Sequence, residues 1–221
     1  MNDCRAQLAQ QLAESVAEAL RTDLASRERA LLVVSGGSTP VPFFQALATK
    51  DLAWDRIDIT LADERWVDAF ADDSNARLVN EHLLTGPASA ANFVPLTSDD
   101  ATPEQGAEVV NERIENLDWP ASVVILGMGG DGHTASLFPD SQELGLALST
   151  DEAVVAVRSP GQPQPRITLS AGRLHQAQRH ILHLTGEEKR VVLGRALAGD
   201  DVRELPIRAF LACPLAIYWA P

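Results

Sequence analysis

The chain has 221 residues, 45% of them apolar, 22% charged and 5% aromatic, which excludes a disordered or collagen-like polypeptide and fits one globular domain over residues 1–221. With 18 basic against 31 acidic side chains the net charge is −13, a field that repels nucleic-acid backbones but not a small anion beside a local basic cluster. Two cysteines cannot build a disulfide framework, no apolar run is long enough to span a membrane, and residues 1–30 are charged throughout, so a cytoplasmic chain with no membrane partner is expected.

Leu8, Leu12, Val16, Leu20 and Leu24 recur every four residues and predict an amphipathic helix. The apolar run Ala30 to Val34, ended by Ser35-Gly36-Gly37-Ser38-Thr39-Pro40, reads as a buried strand. Pro40 suits the first turn of the next helix, with Ser38 or Thr39 as cap. Ile57 to Ala62 reads as a strand, Ser74 caps a helix to Leu84, and Asn92 to Leu96 is a short strand. Thr102-Pro103-Glu104-Gln105 has the form of a capping box opening a helix to about Leu117. Ser122 to Met128 is the strongest strand signal. Val154 to Arg158, Ile167 to Leu169, His180 to Thr185 and Ala216 to Trp219 are further strands, and Glu187 to Ala198 is a helix. The Pro-rich stretch Ser159 to Pro165 is a loop. The alternation predicts an α/β fold with a mainly parallel sheet covered by helices on both faces. Ligands of such sheets bind beyond the carboxyl ends of the strands.

Four segments there carry chemistry. In Ser35 to Thr39, Gly36 and Gly37 let the backbone approach a ligand, and Ser38 and Thr39 add hydroxyls before a helix start; this suits a phosphate or is an ordinary turn. In Asp63-Glu64-Arg65-Trp66, Arg65 can meet a phosphate and Asp63 a sugar hydroxyl or a proton, unless the charges pair internally. The glycines of Gly127 to Ser136 turn Asp131 and His133 into one crevice. Imidazole is the ordinary side chain that titrates nearest neutrality, hence a candidate general base. Arg166 and Lys189 form a basic group, and the helix dipole gives no reason for a cation at a helix start, so Lys189 either meets an external anion or is simply solvated. His180 and His183 lie three apart on a strand, point to opposite faces and cannot share a metal; His82 and His175 are isolated. No metal or cofactor is expected.

Taken together, Gly127 to Pro139, Ser35 to Pro40, Asp63 to Val67, Ser74 to Leu78, Arg166 to Leu169 and Gly186 to Lys189 resemble the 6-phosphogluconolactonase family, in order and over nearly the whole chain. Asp131-Gly132-His133-Thr134-Ala135-Ser136-Leu137-Phe138-Pro139 is the most specific part. The resemblance implies a Rossmann-like fold related to glucosamine-6-phosphate deaminase. It implies hydrolysis of 6-phospho-D-glucono-1,5-lactone, a small-molecule phosphorylated sugar lactone, to 6-phosphogluconate in the oxidative pentose phosphate pathway; a monomer or small homo-oligomer is expected. The alternative, deaminase chemistry, is disfavoured because that family carries Asn-Glu before the matching proline, where this chain has Leu137-Phe138. A non-catalytic sugar-phosphate sensor is a lesser alternative, for which the acidic chain offers no DNA-binding extension. Gly130 stands where lactonases often have proline, and no acid follows Trp219. The expectation is that His133 activates water, Asp131 or Asp63 orients it, and Arg65, Arg166, Lys189 and the Ser35–Thr39 loop hold the phosphate at the opposite end of the sugar.

Overall fold

The computed structural model describes the backbone of residues 2–221 and the side chains of residues 4–221. Its strands are β1 (Ala30–Val34), β2 (Ile57–Leu61), β3 (Asp63–Arg65), β4 (Asn92–Val94), β5 (Ala121–Leu126), β6 (Val154–Val157), β7 (Arg166–Leu169), β8 (Ala177–Thr185) and β9 (Leu215–Ala220). Its helices are α1 (Asn2–Leu24), α2 (Val41–Ala48), α3 (Asn75–His82), α4 (Pro103–Glu115), α5 (Leu144–Ser149), α6 (Ala171–His175), α7 (Glu187–Leu197) and α8 (Arg208–Leu211).

Six strands form one sheet in the order β4-β2-β1-β5-β8-β9, with every pairing parallel. Strands β1, β2 and β5 are buried at every residue, which is why they read as unbroken apolar runs rather than alternating ones. Leu12, Val16, Leu20 and Leu24 of α1 are buried, so the four-residue repeat is the stripe laid on the core. Ser74 caps α3 and Thr102 caps α4, each accepting the amide three residues on.

Three expectations are corrected. Val154 to Arg158 and Ile167 to Leu169 do not join the parallel sheet. Strands β6 and β7 pair antiparallel, and β7 also pairs antiparallel with β3, in a separate three-stranded sheet. The connection from β6 to β7, residues 158–165, is too short for a parallel crossover. Asp63 to Arg65, read as loop, is strand β3. Neither Ser38 nor Thr39 caps α2: Pro40 itself is the cap residue and no side chain bonds the first turn. The one-turn helices α5, α6 and α8 are too short to leave a periodic signal.

Candidate active site

The sheet order reverses between β1 and β5, where the chain leaves in opposite directions and the following loops part. A cavity of about 380 Å³ opens there, beyond the carboxyl ends of β1, β5 and β8. Ser35 ties its floor together: its hydroxyl donates to the Ile125 carbonyl at 2.9 Å and accepts the Gly127 amide at 3.3 Å. That hydroxyl is therefore engaged with protein rather than turned to a ligand. Gly36 has no room for a side chain, because a Cβ would overlap the Asn75 carboxamide, and Gly37 holds a φ of +89°. Among the described residues, the amides of Gly36, Gly37, Ser38 and Thr39 find no protein acceptor. Thr39 Oγ1 lies 3.2 Å from Thr185 Oγ1, joining the loop after β1 to the end of β8.

The turn after β5 is built around His133. Its carbonyl accepts the Gly129 amide at 2.8 Å, which occupies one of the backbone donors otherwise free to meet a developing charge. Gly132 takes a φ of +77° and Ala135 one of 48° to turn the chain back. His133 Nδ1 lies 2.6 Å from Asp131 Oδ1. A carboxylate only accepts, so this contact puts a proton on Nδ1 and leaves the Nε2 lone pair available. Burial alone would raise the Asp131 carboxyl, but the hydrogen bond and charge of His133 hold it down at about 2. A Cβ on Gly129 would overlap the imidazole, so a glycine is required beside it. The Phe138 ring packs against the imidazole at 4.6 Å between centroids. His133 lines the cavity, and Asp131 stands behind it.

The three-stranded sheet delivers the charged side chains. Register pairs Arg65 with Arg166 and Asp63 with Thr168, which brings Asp63, Arg65 and Arg166 to the cavity wall. Asp63 is buried; its Oδ2 accepts from Ser136 Oγ at 2.5 Å and sits 3.7 Å from an Arg166 guanidinium nitrogen. Of the two carboxylates considered as partners of His133, Asp131 makes the contact and Asp63 is held by Ser136 and Arg166. Arg166 also donates to Gln162 at 2.8 Å, and its Cζ lies 5.7 Å from the Phe138 ring, so it shares that ring with His133. Burial pushes the Arg166 guanidinium down from its usual value, against the pull of Asp63. Arg65 donates to the Asp73 carbonyl. Glu64, fully buried, serves the fold. It accepts the amides of Asn75, Ala76 and Arg65 at 2.7 to 2.8 Å at the start of α3, while burial raises its carboxyl.

Of the residues given a catalytic or substrate-binding role from the sequence, all except Asp131 line this one cavity, including Lys189 on the first turn of α7. Sequence reasoning missed Asn75, Gln162, Phe138, Thr185 and His183, which also line it. Phe138 and Asn75 lie inside segments that carry the family resemblance; His183, on a strand, carries no signal of its own in the sequence. Among the lining residues Arg65, Arg166 and Lys189 face a single carboxylate, Asp63, so the site is locally cationic in an acidic chain. Among the described residues, three buried side-chain nitrogens have no hydrogen-bond partner: Arg65 Nε, Arg166 Nε and His183 Nδ1. All three belong to cavity-lining residues. Among the described residues no group of three or more His, Cys, Asp or Glu is arranged to hold a metal ion.

Comparison with known proteins gives a consistent result. The family model described as glucosamine-6-phosphate isomerases/6-phosphogluconolactonase matches residues 3–219. A 6-phosphogluconolactonase of Pseudomonas aeruginosa is 45% identical over 218 residues, covering 98% of this chain and 92% of that protein. The crystal structure of a 6-phosphogluconolactonase from Shewanella baltica superposes with a TM-score of 0.97 at 47% identity, covering 98% of this chain and 94% of that one. A monomeric glucosamine-6-phosphate deaminase shares the fold, with a TM-score of 0.79 at 17% identity, covering 97% of this chain and 93% of that one.

Proposed function

The chain belongs to the glucosamine-6-phosphate isomerase/6-phosphogluconolactonase family, and from that premise we infer that it is a 6-phosphogluconolactonase. It hydrolyses 6-phospho-D-glucono-1,5-lactone to 6-phosphogluconate, a step of the oxidative pentose phosphate pathway, and the cytoplasm is the compartment that suits it. The observation that carries the reading is a locally cationic cavity in which two buried guanidinium nitrogens lack acceptors and one imidazole offers a lone pair. Such a cavity suits a ligand rich in anionic and carbonyl oxygens beside a carbon open to attack.

In the proposed mechanism, His133 Nε2 takes a proton from a water attacking C1 of the lactone. General-base assistance of this kind contributes roughly 10²–10⁴-fold. Asp131 holds the Nδ1–H tautomer and stabilises the imidazolium, as a carboxylate does for a histidine base. The imidazolium then returns its proton to the departing ring oxygen. Lys189, Arg65 and Arg166, with the Ser38–Thr39 end of the loop, bind the phosphate, and the free amides of Gly36 and Gly37 meet the developing oxyanion. Asp63 keeps Arg166 oriented and meets a sugar hydroxyl.

The deaminase alternative lacks the acid that its family carries before the matching proline: Phe138 stands there, its ring packed on the imidazole. The test is turnover of freshly generated 6-phosphogluconolactone, corrected for spontaneous opening, beside an assay with glucosamine 6-phosphate. Lactone turnover well above background with no ammonia release supports the reading. Ammonia release, or sugar-phosphate binding without any turnover, overturns it in favour of the deaminase or a sensor.

A further inference from the structure

Resting on the reading of this cavity as a sugar-phosphate site, we propose that His183 is a further substrate-binding residue, whose ring N–H donates to a phosphate oxygen held by the Ser38–Thr39 end of the loop and Lys189. The position follows from the strand. Side chains alternate along β8, so His183 shares a face with Thr185. Thr185 Oγ1 meets Thr39 Oγ1 at 3.2 Å at the start of α2, and Phe43 of α2 packs edge-on against the His183 ring at 6.2 Å. His183 thus lies one pleat below the joint between the Gly-rich loop and the end of β8, in the cavity floor.

The chemistry follows from burial. His183 is 6% exposed, and burial pushes its imidazole down to about 4, so at neutral pH the ring is uncharged. A neutral imidazole carries one N–H and one lone pair in either tautomer. Among the described residues His183 Nδ1 is enclosed without a hydrogen-bond partner, whereas Nε2 is not among the enclosed atoms. A buried polar group without a partner is costly, whereas one that meets a charged acceptor forms a strong hydrogen bond. Leucine at this position would pack against Phe43 without that cost. Nδ1 is out of reach of solvent, so an acceptor arriving through the cavity, where the neighbouring groups are the loop amides, Thr185 and Lys189, meets Nε2, in the tautomer that carries the proton there. An uncharged donor adds direction to a subsite whose charge Lys189 already supplies.

The experiment compares wild type, His183→Leu and His183→Gln, measuring KM for the lactone and inhibition constants for 6-phosphogluconate and for unphosphorylated gluconate. One hydrogen bond to a charged group corresponds to roughly a tenfold change in affinity or more. His183→Leu is expected to raise KM and the 6-phosphogluconate constant by about that factor, to leave gluconate inhibition within about twofold, and to be partly rescued in His183→Gln, which keeps a donor. In the wild type, the imidazole ¹⁵N signals of His183 shift on titration with 6-phosphogluconate. Equal affinities in wild type and His183→Leu, or unmoved ¹⁵N signals at saturation, overturn the proposal while leaving the lactonase reading intact. Failure of wild type to bind 6-phosphogluconate overturns both.

Discussion

The His133–Asp131 turn and the Asp63–Arg166 strand pair serve one cavity but are built in opposite ways. In the turn, the carboxylate is half exposed, the contact is 2.6 Å, and glycines provide the room. In the strand pair, both side chains are about nine-tenths buried, the ions stand 3.7 Å apart, and a β-ladder fixes their spacing. Solvent screens the first pair, so it adds little to stability. The second has lost its water, so its members depend on each other and act as a fixed charge arrangement. The proposed mechanism accordingly gives proton transfer to the turn and electrostatic binding to the strands.

Breaking the buried pair is the largest test of that contrast. Asp63→Ala leaves Arg166 without its carboxylate and Ser136 without its acceptor, and is expected to lower unfolding free energy by about 3 kcal/mol in a urea melt. Next comes acidification. The His183 imidazole titrates at about 4 in the folded chain against 6.5 as the ordinary value, so between these the unfolded chain binds more protons. Stability is therefore full above pH 6.5 and falls as pH drops toward 4, by up to about 3 kcal/mol in total. His183→Leu should flatten that part of the stability profile. Gly129→Ala puts a methyl group where the His133 ring lies; a ring displaced by about 1 Å costs on the order of a hundredfold in kcat, measured in the coupled assay, with the fold retained. The smallest expected change is the stability of Asp131→Ala, under about 1 kcal/mol despite a clear loss of turnover. A loss as large as that of Asp63→Ala would erase the distinction between the two regions.

Much of this was legible before the structure, for physical reasons. Strands buried on both faces announce themselves as apolar runs, so β1, β2 and β5 and the loops after β1 and β5 were placed by composition alone. His133 stood out because glycines surround it. The three-stranded sheet was not legible, because β3 is three residues, two of them acidic, and its strand character comes only from pairing with β7. The connection of residues 158–165 held the clue that β6 and β7 form a hairpin. Which carboxylate contacts His133 depends on side-chain geometry at the turn, and His183 on the alternation of a strand whose neighbours were unknown. The wide apolar context that hid His183 is the same burial that makes its unpaired nitrogen informative.

The most direct measurement is turnover of fresh 6-phosphogluconolactone by wild type and His133→Ala, corrected for spontaneous opening, with the inhibition constant for 6-phosphogluconate determined on the same preparations. The account predicts a fall in kcat of roughly 10²–10⁴-fold with that constant changed only a few-fold. Near-normal turnover by His133→Ala, or a loss of binding as large as the loss of turnover, would contradict it.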